Sequence, residues 1–191
     1  MTTLPNSKIT LGENFKSLKM VEINKHLPSE ANQSDNVYFI NVTSDDNLIP
    51  SRLPFGVNYR KKGWGSNVNL NIYNYARDLK KRSYLWGPAL TGEKFETIIA
   101  LTNFNKKISH KEENNIQLTL YNESGKILEK KYKTHNPQSL NINVKNLIKE
   151  NNIKTKVNEI IWFTIESVAT SFVCMHIHKS VHGLVAADHS F

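Results

Sequence analysis

The alternation that runs from Ile116 to Val144 constrains this chain more than any other stretch. Ile116, Leu118 and Leu120 alternate with Gln117, Thr119 and Tyr121, a period of two that turns one set of side chains to a core and the other to water. Asn122, Glu123, Ser124 and Gly125 supply turn chemistry, and Lys126 to Thr134 returns with charged residues outward, so a hairpin is expected. After His135, Asn136 and Pro137, a third run alternates Leu140, Ile142 and Val144 with Asn141 and Asn143. Three short strands in succession predict an antiparallel sheet with one wet face.

The same signals recur on both sides of this stretch. VYFINVTS, from Val37 to Ser44, is rich in β-branched and aromatic residues and is closed by Asp45, Asp46 and Asn47. LPFGVNYR follows, then a loop in which Gly63 and Gly65 flank Trp64, then a strand with Val68, Leu70 and Ile72 alternating with Asn67, Asn69 and Asn71. A basic loop leads to an aromatic strand that Trp86, Gly87 and Pro88 are expected to stop. Phe95 to Asn103 is apolar on both faces and is expected at the centre of a sheet; EIIWFTIES, from Glu159 to Ser167, is again apolar on both faces. KNLIKENNIKT allows two helical turns at most, and SFVCMHIH is the last clear strand. Many short strands at hairpin spacing with little helix define an all-β, antiparallel β-sandwich.

Length bears on domain organisation. The 191 residues suit one domain with an arm. Leu11, Phe15, Leu18 and Val21 fall near helical spacing, and the polar segment Glu30 to Asn36 reads as a linker. An N-terminal arm over 1–36, with a short helix, and a sandwich over 37–191 are therefore expected. No apolar run approaches the ~20 residues that cross a bilayer, and the N-terminus lacks the plan of a secretory signal. The expected location is the cytoplasm, without membrane insertion.

Charge points weakly to a partner. The formal net charge is +8, from 25 basic and 17 acidic residues, with clusters at Arg60 to Lys62, Lys80 to Arg82, and Lys130, Lys131 and Lys133. Such clusters attract phosphate backbones, but scattered lysines also keep sheet edges soluble. Solvated faces are the preferred reading over nucleic acid, because no helix-turn-helix, zinc-finger or RNP-like pattern accompanies them.

From Trp86 onward a family pattern emerges. An aromatic strand, the ETIIALTNF strand ending in asparagine, the LTLYNESGK hairpin, the SLNINV strand, and IES followed by FVCMHIH together resemble the small bacterial β-sandwiches of the sensory rhodopsin transducer type. The resemblance covers a little over half of the chain and implies a tetrameric signalling or binding module without enzymatic activity. The N-terminal half and the HGLVAADHSF ending depart from it.

That ending holds the candidate chemistry. Of the seven histidines, His176, His178, His182 and His189 fall near the C-terminus, beside Asp188. On a strand, His176 and His178 share one face with Cα atoms ~7 Å apart, as two ligands of one metal often do. His182 and Asp188 could complete a divalent-metal site, which makes a metal-dependent enzyme the alternative to a binding module. HIHKSVH is similar to the first metal motif of cupins, yet Lys179 to His182 supply no carboxylate. The bland reading is a set of histidines bonded to one another and to backbone at a sheet edge or a subunit contact. Trp64 and Trp86 are the aromatic candidates for stacking on a protein or small-molecule ligand, against their commoner use as core caps.

No glycine-rich phosphate loop, HExxH, GxSxG or paired CxxC is present. Cys174, the single cysteine, lies in an apolar run and reads as a buried, inert thiol. Two strands apolar on both faces need cover on both, so a homo-oligomer is expected. The tail from Val181 to Phe191 is too apolar to trail in water and is expected to dock through Phe191, bringing Asp188 and His189 against the strand of His176 and His178.

Overall fold

Strand alternation organises the molecule as expected, with one exchange between sheets. The computed structural model describes residues 25, 55–61, 64–70, 83–103, 114–134, 138–156, 159–167 and 172–190. The chain divides into two compact units, Met1–Asn36 and Val37–Phe191. Lys25 is the one described residue of the first, so the expected arm and its helix lie outside the described residues, as does the strand expected at Val37 to Ser44.

The second unit carries β1 (Phe55–Lys61), β2 (Trp64–Leu70), β3 (Ser83–Leu90), β4 (Phe95–Asn103), β5 (Asn114–Asn122), β6 (Gly125–Thr134), β7 (Gln138–Asn143), α1 (Val144–Glu150), β8 (Ile160–Ser167), β9 (Val173–Ser180) and β10 (Val185–His189). One sheet orders its strands β10-β9-β4-β7 and the other β3-β8-β5-β6, all antiparallel, while β1 and β2 form a separate hairpin. This is an all-β antiparallel sandwich with little helix. No helix among the described residues is long and apolar enough to cross a membrane.

The β5–β6 hairpin turns at Gly125, whose φ of 114° is open to glycine at little cost. Its expected third strand goes elsewhere. β7 pairs with β4 in the opposite sheet, and Val144 opens α1, where the Asn143 side chain caps by accepting from the Asn146 N–H at 3.1 Å. The alternation of β7 was legible, but a period of two places a strand in a sheet without saying in which one.

The core lies between the sheets. Ile161, Phe163 and Ile165 of β8, Ile116, Leu118 and Leu120 of β5, and Ile99 and Leu101 of β4 are almost wholly buried. Val144, Leu147 and Ile148 of α1 extend it, and α1 packs against β4.

Two turn expectations are corrected. Trp64 is not in a loop: it begins β2 and pairs with Lys61, because two residues suffice to join such a hairpin. Trp86, Gly87 and Pro88 do not stop β3, which continues to Leu90. β3 is an edge strand, where the missing N–H of Pro88 breaks no ladder. Gly87 faces inward under Phe163 and His176: a Cβ there would sit 2.9 Å from the Phe163 ring and 3.0 Å from His176 Nδ1. The glycine marks a close approach of strand to side chain.

Candidate functional site

Two places gather the side chains that could bind or react. The first is the histidine pair of β9. Pairing of β9 with β4 sets Cys174, His176 and His178 beside Leu101, Ile99 and Thr97, all on the inner face of the sheet. β10 closes the other side, with Asp188 opposite His176 and Ala186 opposite His178. Docking of the tail as a strand thus brings Asp188 against the histidine strand; Phe191, its expected anchor, lies outside the described residues.

Proton positions follow from the bonds. The Leu90 N–H donates to Thr97 Oγ1 at 2.8 Å, and the Thr97 hydroxyl donates to the Leu90 carbonyl at 3.2 Å. Thr97 has one proton, so His178 Nδ1, at 2.8 Å, donates to the remaining lone pair and carries its own lone pair on Nε2. In the same way the Ser190 hydroxyl donates to Cys174 Sγ at 3.1 Å and accepts from His176 Nδ1 at 3.2 Å. The rings lie 5.1 Å apart, and His176 meets Phe163 edge-on at 6.0 Å.

Electrostatics holds His178 neutral. Burial, then the neighbouring His176, pushes His178 down from 6.5 to about 4. Burial pushes the Cys174 thiol up to about 12, against a smaller opposing effect of the Ser190 bond, which fits an inert structural thiol.

His182 stands apart in the β9–β10 turn, exposed, with its N–H bonded to Ser180 Oγ at 3.0 Å. Asp188 is exposed on the edge strand, and His189 pairs in register with Met175, its side chain outside the description. Among the described residues no three His, Cys, Asp or Glu side chains form a group that could hold a metal. Two imidazoles make half of a zinc set. As it stands, the pair ties β4, β9 and the chain end together by hydrogen bonds.

Acid should test this network. His178 titrates lower when folded than when unfolded, so its contribution is complete above pH 6.5 and is lost as pH falls from 6.5 to about 4. The unscreened shift is worth ~3.4 kcal/mol. Partial exposure of the ring reduces this to roughly 1–2 kcal/mol. Denaturant unfolding at pH 7 and 4.5 should show that loss in the native chain and much less of it in His178→Gln.

The second place is the outer face of the β3-β8-β5-β6 sheet. Registers across it align Tyr84, Glu166, Gln117 and Lys131 in one row, Trp86, Thr164, Thr119 and Glu129 in the next, and Pro88, Trp162, Tyr121 and Lys126 in a third. Tyr84 is 55% exposed, Trp86 42%, Ile160 53% and Trp162 46%, high values for large apolar groups that adjoin one another. The two indole rings lie 5.7 Å apart at 48°. Between them, the Thr164 hydroxyl is buried and has no hydrogen-bond partner in the structure.

Trp86 was a sequence candidate, but Tyr84, Ile160 and Trp162 were not. EIIWFTIES showed both faces apolar, and only the β3–β8 register shows that its outward half meets Trp86. Trp64 starts β2, and its side chain is outside the description.

No protein-family model and no curated protein matches this chain. Among solved structures, Thermotoga maritima 1070 is similar over 60% of this chain and 96% of its own, with 12% identity and a TM-score of 0.44.

Proposed function

We propose that this chain is a non-enzymatic, cytoplasmic interaction module that acts as a homo-oligomer and binds through the outer face of its β3-β8-β5-β6 sheet. The observation that carries the reading is the exposure of Tyr84, Trp86, Ile160 and Trp162 side by side on that face. Tryptophan and tyrosine supply much of the binding energy at protein interfaces. A rigid sheet also presents them at little entropic cost. The resemblance of the C-terminal half to sensory rhodopsin transducer proteins supports a signalling or binding role. The other chemistry points the same way: His178 is held neutral, both histidines are bonded into the fold, and the thiol is held inert.

Sedimentation at micromolar concentration is the direct test. An oligomer is expected; a strict monomer overturns the oligomeric reading.

A further inference from the structure

The exposed aromatic face accepts one arrangement of a second copy particularly well. Its charges nearly cancel: Glu129 and Glu166 stand against Lys126, Lys131 and Lys133, although the whole chain carries +8. Lys126 and Glu129 also bond to each other at 2.9 Å. A polyanion finds little net attraction there, whereas an identical neutral face meets no repulsion.

The lysines also lie on one side. β6, at one edge, carries the lysines, while β3 and β8, at the other, carry the aromatic rings. Four large apolar side chains at about half exposure offer roughly 400 Å². A stable complex buries about 800 Å² per partner, within reach once the neighbouring prolyl, leucyl and polar groups are covered.

Resting on the reading of this face as the binding surface, we infer that it seats a second copy of the chain, face to face, about a two-fold axis that runs along the strands between β3 and β8. That axis keeps each row over itself and exchanges the two strands. Trp86 then lies over the small Thr164 of the partner, Trp162 over its Pro88, and Leu90 over its Ile160. Tyr84 lies over the partner's Glu166, where a phenol can donate to a carboxylate. Large groups meet small ones, the apolar strands cover each other, and the β6 lysines swing to opposite rims. A two-fold axis across the strands would instead set Lys131 of one copy over the partner's Lys126, like charge on like.

Two measurements test the arrangement. In sedimentation, Trp162→Glu should raise the dissociation constant by roughly 30-fold or more with an unchanged far-UV spectrum, as loss of a central aromatic anchor does. In cross-linking, an equimolar mixture of Tyr84→Cys and Glu166→Cys chains should be joined as a heterodimer by a short bismaleimide, which spans the ~10 Å between packed sheets, and Tyr84→Cys with Lys131→Cys should be joined far less. Cys174, buried with a raised pKa, does not compete.

A native oligomer that neither Trp162→Glu nor Trp86→Glu weakens would overturn this interface and leave the oligomeric reading standing. Cross-linking as efficient through Lys131→Cys would overturn the axis. A native monomer would remove both.

Discussion

Replacing Phe163 by alanine is expected to lower stability by about 3–5 kcal/mol, the range for losing a buried aromatic ring. Among the described residues Phe163 is the largest fully buried side chain, and it sits mid-strand in β8, an interior strand of its sheet. The size of the loss depends on whether neighbours can fill the space. Gly87, directly opposite on β3, has no side chain to move in, and His176, on the other sheet, is held at Nδ1 by Ser190. The cavity should therefore persist. Urea unfolding should show a lower midpoint with an unchanged slope. A loss below ~1 kcal/mol would mean that the sheets close over the gap, contrary to the packing described.

Gly87 also shows how far local signals carry. Next to Trp86 and Pro88 it has the composition of a turn, and local chemistry alone predicts a stop there. The strand continues because the glycine answers a contact from another sheet, 2.9 Å to Phe163 and 3.0 Å to His176, which no nearby residue announces. β7 teaches the same point. Its alternation was plain, but its partner is β4, about forty residues earlier in the chain, rather than the hairpin just before it. Antiparallel strands of similar composition compete for partners, and the choice depends on how both sheets close. What was legible was most of the strands and, for β5, the face it turns to the core. Ile116, Leu118 and Leu120 inward with Gln117 and Tyr121 outward follow from a period of two, whereas EIIWFTIES, apolar on both faces, did not say which half it buries.

The candidate site divides along the same line. His176 and His178 share a face because they are two residues apart, and the structure sets them on the inner face of β9. Their bonding partners, Thr97 and Ser190, were invisible in the sequence, since a serine and a threonine carry no signal of what they will meet. The aromatic face was half legible. Trp86 stood out as a residue type, but its neighbour Trp162 lies far along the chain and joins it only through the β3–β8 register. A patch built from separate strands is a property of pairing, and pairing is the step that a single sequence determines least.

Deleting Val185 to Phe191 is expected to unmask Cys174. The thiol is 2% exposed, and Ser190 covers it: the Ser190 N–H donates to the Cys174 carbonyl at 2.9 Å and its hydroxyl to Sγ at 3.1 Å. Burial pushes its pKa up to about 12, so at pH 8 about one thiol in 10⁴ is ionised. Without the last strand the thiol meets water, its pKa returns toward ~8.5, and the reactive fraction rises roughly 10³-fold. The rate of reaction with an aromatic disulfide should follow. The same deletion removes the β9–β10 ladder and leaves His176 without Ser190, a loss of about 3 kcal/mol or more at roughly 1 kcal/mol per bond. Should the truncated chain unfold altogether, Ser190→Ala isolates the hydroxyl. It keeps the strand and removes the bond that holds the thiol pKa down, so the thiol should react somewhat more slowly while the far-UV spectrum is unchanged. A folded truncated chain whose thiol is as slow as in the full chain would show that something other than the terminal strand shields it.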